Sequence, residues 1–129
     1  MAIILGFDFG QKRTGVAIAR DNTIDPLVTL DDQLDVESNI LDLVNTHRPS
    51  QLEKGIPRNL DGEDTPQTKL ARDFGNRLGT ITNLPVKYQD EALSSERALQ
   101  RIGEHTTIAT RKKLLDQISA QIILEDYLK

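Results

Sequence analysis

Cysteine is absent from this chain of 129 residues, as is tryptophan, and only three phenylalanines and two tyrosines supply aromatic surface. Without cysteine the chain can form no disulfide bond, so its stability has to come from a packed core, for which it is long enough. The same absence agrees with a reducing compartment, and we expect a cytoplasmic protein.

Long apolar runs and an excess of positive charge are missing as well. The first apolar run begins at Ile3 without a basic leader and is far shorter than the roughly 20 residues of a membrane-spanning helix, so we expect neither a signal peptide nor a membrane partner. A net charge of −4 argues against a protein that coats nucleic acid through bulk electrostatics, although a local basic patch can bind phosphates. With no repeat or linker, residues 1–129 are predicted to form one domain.

Asp8, at the end of the first apolar run, is the first candidate for a functional residue. The apolar residues from Ile3 predict a strand, a glycine-bearing turn follows Asp8, and the residues from Gly15 to Ala19 predict a returning strand. A carboxylate at the tip of a buried strand is costly unless a metal or another partner satisfies it. The alternative is that Asp8 only caps the turn through its side chain.

The next residues predict a third strand, a helix and a fourth strand. Ile24 to Leu30 forms the third strand, and Pro26 favours a place for it at the edge of the sheet. Asp35 can cap a helix that ends before Pro49. Gln51 to Ile56 predicts the fourth strand, although its glutamate and lysine stand where a strand covered on both faces would carry valine or isoleucine.

Capping signals locate the next elements. Thr65, followed by Pro66, predicts the start of a helix. The apolar stripe expected to be buried on this helix comprises Leu70, Ala71, Phe74 and Leu78. Residues 85–89 predict the fifth strand, which ends in Asp90-Glu91, and a short helix begins at Ser94 or Ser95 and stops at Gly103.

The last helix is predicted from about Thr110 to Leu128. Asp116 lies on one line of this helix with three residues of low polarity, at positions i+4, i+7 and i+11: Ala120, Ile123 and Tyr127. The carboxylate therefore faces the body of the protein, where it is costly unless compensated. The element order is β-β-β-α-β-α-β-α-α, which indicates a mixed α/β domain.

Three acidic sites can converge in such a domain. If the first, fourth and fifth strands are parallel neighbours, Asp8 and Asp90-Glu91 lie at one edge of the sheet, and the last helix can bring Asp116 beside them. Gathered carboxylates repel one another unless cations lie between them, and hard oxygen ligands suit Mg²⁺ or Mn²⁺. The chemistry of such a site is two-metal hydrolysis of a phosphodiester. Strand alternation favours Glu91 over Asp90 as the acid on the metal face.

The chain also resembles a known family, the YqgF or RuvX family of the ribonuclease H-like, RuvC-related fold. The resemblance spans almost the whole chain and is carried by residues 7–10 with 15–17, 55–62, 90–95, and Asp116 with 119–120 and 122–128. It implies a five-stranded mixed sheet, a three-strand antiparallel meander plus two parallel strands, flanked by helices. It further implies a nuclease that processes the 5′ end of precursor 16S rRNA or resolves Holliday junctions. The catalytic and metal-binding acids carried over by position are Asp8, Glu91 and Asp116.

Basic residues near these acids are candidates for binding the nucleic-acid backbone, because phosphate contacts position a substrate without reading its sequence. These predicted substrate-binding residues are Lys12, Arg13, Arg58, Arg97, Lys112 and Lys113. The alternative for the last two is a solvated first turn of the final helix. The expected partners are precursor rRNA or branched DNA, together with the ribosome, and the protein is expected to be a monomer or a homodimer.

Two other functions compete with the nuclease. The first is a nucleic-acid-binding or ribosome-associated protein of the same fold with weak or no catalysis, and it is favoured by Ala92, where the family usually has arginine after the acidic pair. The second is a phosphotransferase of the actin and sugar-kinase type, whose phosphate loop also follows a strand that ends in Asp-x-Gly. Those enzymes need a second domain of comparable size, which 129 residues cannot supply.

Overall fold

The structure, a computed structural model, describes residues 2–9, 12–21, 23–31, 35–56, 64–90, 94–102 and 108–128, with the backbone alone at 56, 90, 94–96 and 108–113. The elements follow the predicted order. They are β1 (Ile3–Phe9), β2 (Arg13–Arg20), β3 (Thr23–Asp31), α1 (Val36–His47), β4 (Gln51–Ile56), α2 (Pro66–Thr82), β5 (Val86–Asp90), α3 (Ser94–Ile102) and α4 (Ile108–Leu128).

The strands form one mixed sheet in the order β3-β2-β1-β4-β5. β2 pairs antiparallel with both β1 and β3, whereas β4 pairs parallel with both β1 and β5. The predicted meander and the predicted parallel strands are therefore confirmed. β3 lies at the edge, as Pro26 indicated, since proline cannot donate a hydrogen bond to a second neighbouring strand.

The helices α1 and α2 cover one face of the sheet. Their side of the core contains Ile40 from α1 and Leu78 from α2, packed on strand residues that alternate along the sheet: Leu5, Phe7, Val16, Ile18, Leu30 and Leu52. Asp35 caps α1 by accepting a hydrogen bond from the amide of Ser38, and Thr65 forms a capping box with Thr68 at the start of α2. Both predicted helix starts are confirmed.

One residue of the predicted α2 stripe is exposed. Ala71 and Leu78 are buried, whereas Leu70 is 51% exposed. Gly75 explains the difference, because a Cβ atom there would lie 2.6 Å from the hydroxyl of Tyr88 on β5. The helix therefore approaches the sheet through its small residues, and this orientation turns Leu70 towards solvent.

The helix α4 covers the other face of the sheet, and α3 packs on α4. Alanines on both sides allow a close approach, with Ala17 and Ala19 of β2 against Ala120 of α4, and Leu124 of α4 packs beside them. Ion pairs join α3 to α4, from Arg97 to Asp126 and from Arg101 to Glu125. Because α4 lies between the sheet and α3, most of its residues from 119 to 124 are buried.

The polar strand β4 is buried in the middle of the sheet. Leu52, Glu53 and Lys54 are all 0% exposed. The ammonium of Lys54 lies 4.7 Å from the ring centroid of Phe9 and 5.2 Å from that of Phe74, distances at which the rings attract a cation. The strand is therefore an interior strand of the sheet, between β1 and β5, despite its polar composition.

Candidate active site

Asp8 and Asp116 both lie next to Gly15. Asp8 on β1 pairs directly with Gly15 on β2, and paired residues of antiparallel strands project to the same face of the sheet. A Cβ atom on Gly15 would lie 1.9 Å from the carbonyl oxygen of Asp116 and 2.8 Å from its Cβ atom. Only glycine permits this approach of α4, and it brings the two acidic residues to neighbouring positions.

Arg13 pairs with Asp116. Its Nε atom donates a hydrogen bond of 2.8 Å to Oδ2 of Asp116, across 103 residues of sequence. The side chain of Asp116 is 18% exposed and that of Arg13 is 38% exposed, so the pair lies at the border of the interior. A charge-assisted contact of this kind compensates the carboxylate that the sequence predicts to face the body of the protein.

A cavity of about 540 Å³ opens beside this pair. It lies between the edge strand β3 and the N-terminal half of α4. The residues that line it are Lys12, Arg13, Val28, Thr29, Leu30, Asp31 and Gln117. Its volume is in the range of about 300–1,000 Å³ that is typical of small-molecule sites.

The two carboxylates fit a divalent cation by their chemistry. Asp8 and Asp116 offer hard oxygen donors from two rigid elements, and the guanidinium of Arg13 already shows that a cation is stable at Asp116. Within the described ranges no group of three or more histidine, cysteine or acidic side chains is arranged to hold a metal. The described residues therefore supply two of the predicted ligands.

The other predicted site residues are only partly accounted for. Arg58 and Glu91 lie outside the described residues, as do the side chains of Lys112 and Lys113. Strand β5 extends to Asp90, and Tyr88 contacts Arg72 and Asn76 of α2, so the alternate residues Lys87 and Gln89 project to the face covered by α4. The choice of Glu91 over Asp90 stays a prediction.

Arg97 is not brought to the acids. It binds both carboxylate oxygens of Asp126, at 2.8 and 3.2 Å. Asp126 is ten residues beyond Asp116 on α4, about 15 Å along the helix axis. The predicted role of Arg97 in binding substrate therefore has no support from its position, since its guanidinium holds α3 on α4.

Some residues near the site were not predicted. Thr29 and Gln117 line the cavity, and no feature of the sequence identified them. The pairing of β2 with β3 places Asp31 opposite Arg13, but the register between strands cannot be read from either strand alone. In the sequence, Glu53 stands out only as an unusual residue for a buried strand. In the structure it lies beside Gly6 on β1, two residues before Asp8.

Comparison with known proteins assigns a family. A sequence model of the RuvX family, described as Holliday junction resolvase, matches residues 2–129. A relative from Methylobacillus flagellatus named "Putative pre-16S rRNA nuclease" is 40% identical, over 96% of this chain and 88% of its own length. A relative of the same name from Streptococcus agalactiae is 32% identical, over 97% of this chain and 96% of its own.

Solved structures resemble the fold at low sequence identity. RuvC of T. thermophilus in complex with Holliday junction substrate has a TM-score of 0.58 at 14% identity, and the alignment covers 99% of this chain and 95% of RuvC. The Fowlpox virus resolvase in complex with Holliday junction DNA has a TM-score of 0.58 at 16% identity, with 98% of each chain covered. The predicted ribonuclease H-like sheet is thereby confirmed. No helix in the described ranges is long and apolar enough to cross a membrane.

Proposed function

This chain belongs to the RuvX family and is a nuclease of that family, and on this basis we propose that it hydrolyses phosphodiester bonds with divalent cations held by Asp8, Glu91 and Asp116. The observation that carries the proposal is the contact of Asp116 with Gly15, the residue paired with Asp8. Carboxylates from two separate elements, joined at one point on the sheet, are typical of a site for hard cations.

Mg²⁺ or Mn²⁺ bound there would activate water and stabilise the leaving oxygen of the phosphodiester. The protein's own contribution is position. β1 holds Asp8 by its ladder of hydrogen bonds to β2, and α4 holds Asp116 by packing on Gly15. Glu91, which directly follows β5, completes the set in this proposal, because side chains that alternate along β5 bring every second residue to the face covered by α4.

The nucleic acid is proposed to bind across the cavity beside the acids. Lys12 and Arg13 line that cavity, and α4 carries Lys112 and Lys113 on the turn before Asp116. Arg58 comes two residues after the end of β4 in the sequence, and the parallel pairing of β4 with β1 places that end of β4 near the end of β1 that carries Asp8. Arg97 is left out of the proposed binding surface because of its contact with Asp126.

Precursor 16S rRNA is the proposed substrate, and a four-way DNA junction is the alternative. The names of the relatives support the first, and the description of the family supports the second. Both substrates present the same phosphodiester to the acids. We place the protein in the cytoplasm, in contact with the ribosome or its precursor, because precursor rRNA is found there.

A cleavage assay with paired variants tests this function. Asp8→Asn, Glu91→Gln and Asp116→Asn should each lower the rate of Mg²⁺-dependent cleavage by about a hundredfold or more, because each loses a group worth several kcal/mol in the transition state. The assay uses the 5′ region of precursor 16S rRNA and a four-way junction side by side.

Asp90→Asn and Asp42→Asn are the matched controls. The first changes the residue next to Glu91, and the second changes an exposed carboxylate on α1, on the opposite face of the sheet. Both should cleave at nearly the wild-type rate. Loss of cleavage in Asp90→Asn, with an active Glu91→Gln, would reverse the assignment of these two acids.

The second candidate function is nucleic-acid binding with little catalysis, and Ala92 favours it because an arginine that could hold a phosphate is missing there. The same assay separates the two functions. Retention of labelled RNA by wild type without any cleavage in Mg²⁺ or Mn²⁺ would support the binding protein and contradict the nuclease.

A further inference from the structure

Arg13 lies between two places that both favour its charge. On one side its Nε atom donates to Asp116 at 2.8 Å. On the other side Arg13 lines the cavity between β3 and α4, together with Lys12. Arg13 therefore lies at the boundary between the acidic residues and the cavity.

The cavity suits the phosphate and sugar of a nucleic-acid strand. Lys12 and Arg13 supply two positive charges, Thr29 and Gln117 supply neutral polar groups, and among the described lining residues Asp31 alone is acidic. The planar fork of arginine matches the oxygens of a phosphodiester in geometry and charge. A phosphodiester in the cavity would therefore attract Arg13 away from Asp116.

A divalent cation at Asp116 would act in the same direction. The cation competes with the guanidinium for the carboxylate oxygens, and it repels the guanidinium because both are positive and only a few ångströms apart. The side chain of Arg13 is 38% exposed, so it has room to turn towards the cavity. Each ligand thus displaces Arg13 from Asp116.

We propose that Arg13 is shared between the two sites: it balances Asp116 until a divalent cation binds there, and then holds a phosphodiester group of the substrate in the cavity. The inference rests on the proposed nuclease function. It makes Arg13 a substrate-binding residue that also couples the binding of cation and nucleic acid. Such coupling is reciprocal, since each ligand strengthens the binding of the other by the same factor.

Calorimetry of Mn²⁺ binding tests the competition, with Arg13→Gln compared with wild type. The variant should bind Mn²⁺ about fivefold more tightly, because the cation no longer has to break the ion pair of Arg13 with Asp116. A fivefold change corresponds to about 1 kcal/mol, the usual strength of an ion pair at a partly exposed position. Lys12→Gln removes the same charge from an exposed side chain one residue away from Arg13, and should change the Mn²⁺ affinity less than twofold. Arg20→Gln, at the opposite end of β2, should change nothing.

The same titrations are repeated with a saturating phosphorothioate oligonucleotide, which resists cleavage. Arg13 of the wild type should then lie on the backbone of the oligonucleotide, so the Mn²⁺ affinities of wild type and Arg13→Gln should converge. The variant should also bind the oligonucleotide several-fold more weakly than wild type does. Arg13→Lys keeps the positive charge but loses the planar fork of the guanidinium, so its affinity for the oligonucleotide should lie between those of wild type and Arg13→Gln. It replaces Arg13→Gln in the titrations if that variant is unfolded at the temperature of the measurement.

Equal Mn²⁺ affinity of wild type and Arg13→Gln without oligonucleotide would overturn the inference. A fivefold difference that persists unchanged with oligonucleotide would overturn it too, because Arg13 would then never leave Asp116. The proposed function fails by a separate result, namely a wild-type protein that binds Mn²⁺ but cleaves neither RNA nor junction.

Discussion

At the scale of single residues, Glu53 places a titratable carboxyl group inside the protein. It is 0% exposed, and neither of its carboxylate oxygens has a hydrogen-bond partner in the described part of the chain. Burial raises its pKa from the usual 4.5 to about 7, and the positive charge of Lys87, its neighbour on β5, lowers that pKa in part. The residue therefore gains or loses a proton near neutral pH.

This pKa predicts a dependence of stability on pH. The folded protein holds the proton of Glu53 more tightly than the unfolded chain does, so the stabilisation is complete below about pH 4.5 and is lost as the pH rises through about 7. Glu53→Gln cannot ionise. Wild type loses this stabilisation between pH 5 and pH 8, whereas the variant does not. The difference in the free energy of unfolding, variant minus wild type, should therefore rise by on the order of 2 kcal/mol over that range.

Urea denaturation at several pH values measures this difference. Asp42→Asn, which changes an exposed carboxylate on α1, is measured beside it as the control for the loss of a carboxylate at the surface. A difference that stays flat with pH for Glu53→Gln would mean that the buried carboxylate has a partner that stabilises its charge.

At the scale of elements, the packing of α4 on β2 creates the site. The helix reaches the sheet at Gly15 and Gly6, where a Cβ atom would overlap the backbone of Asp116 and the side chain of Leu124. The two contacts differ in kind. A leucine side chain can shift by changing its rotamer, whereas the backbone of a packed helix cannot move without the rest of the helix.

Gly15→Ala should therefore destabilise the protein by about 3 kcal/mol or more and abolish cleavage, since the new methyl group would lie 1.9 Å from a carbonyl oxygen. Gly79→Ala is the matched control, because its nearest neighbour would be 3.4 Å away, an ordinary contact. That change replaces a glycine within α2 and should add up to about 1 kcal/mol of stability. Chemical denaturation and the cleavage assay together measure both effects. Equal stabilities of the two variants would contradict the close approach of α4.

At the scale of the whole molecule, the net charge of −4 requires that any nucleic acid bind to a local surface. The proposed surface joins the cavity beside the acids to the first turns of α4. The remaining described faces carry mixed charges, including ion pairs such as Arg77 with Glu37 and Arg72 with Asp64. Binding should therefore involve few phosphates and depend only moderately on salt.

The variant Lys112→Glu, Lys113→Glu tests the position of this surface. It should weaken binding of single-stranded RNA and lower the slope of log affinity against log salt by about 0.7 for each lost contact. Arg20→Glu, Lys69→Glu is the control, because each pair of changes takes the net charge from −4 to −8. Arg20 lies at the end of β2 opposite Arg13, and Lys69 lies on α2, so both are away from the proposed surface. Equal loss in both double variants would indicate an effect of total charge alone.

The sequence by itself determined the order of elements, the capped starts of α1 and α2, and the positions of Asp8 at a strand tip and Asp116 on a buried helix face. Local signals suffice for these features, since strand alternation, helical periodicity and capping each depend on residues close together in the chain.

Only the tertiary structure decided what surrounds those acids. The pairing of Arg13 with Asp116, the exposure of Leu70, and the binding of Arg97 to Asp126 each depend on how one helix lies against the sheet or another helix. In the sequence, Glu53 and Lys54 are polar residues where a buried strand usually has valine or isoleucine, yet in the structure both side chains are fully buried. The physical reason is that β4 lies between β1 and β5 in a mixed sheet with helices on both faces, so its neighbours, and not its own side chains, decide its burial.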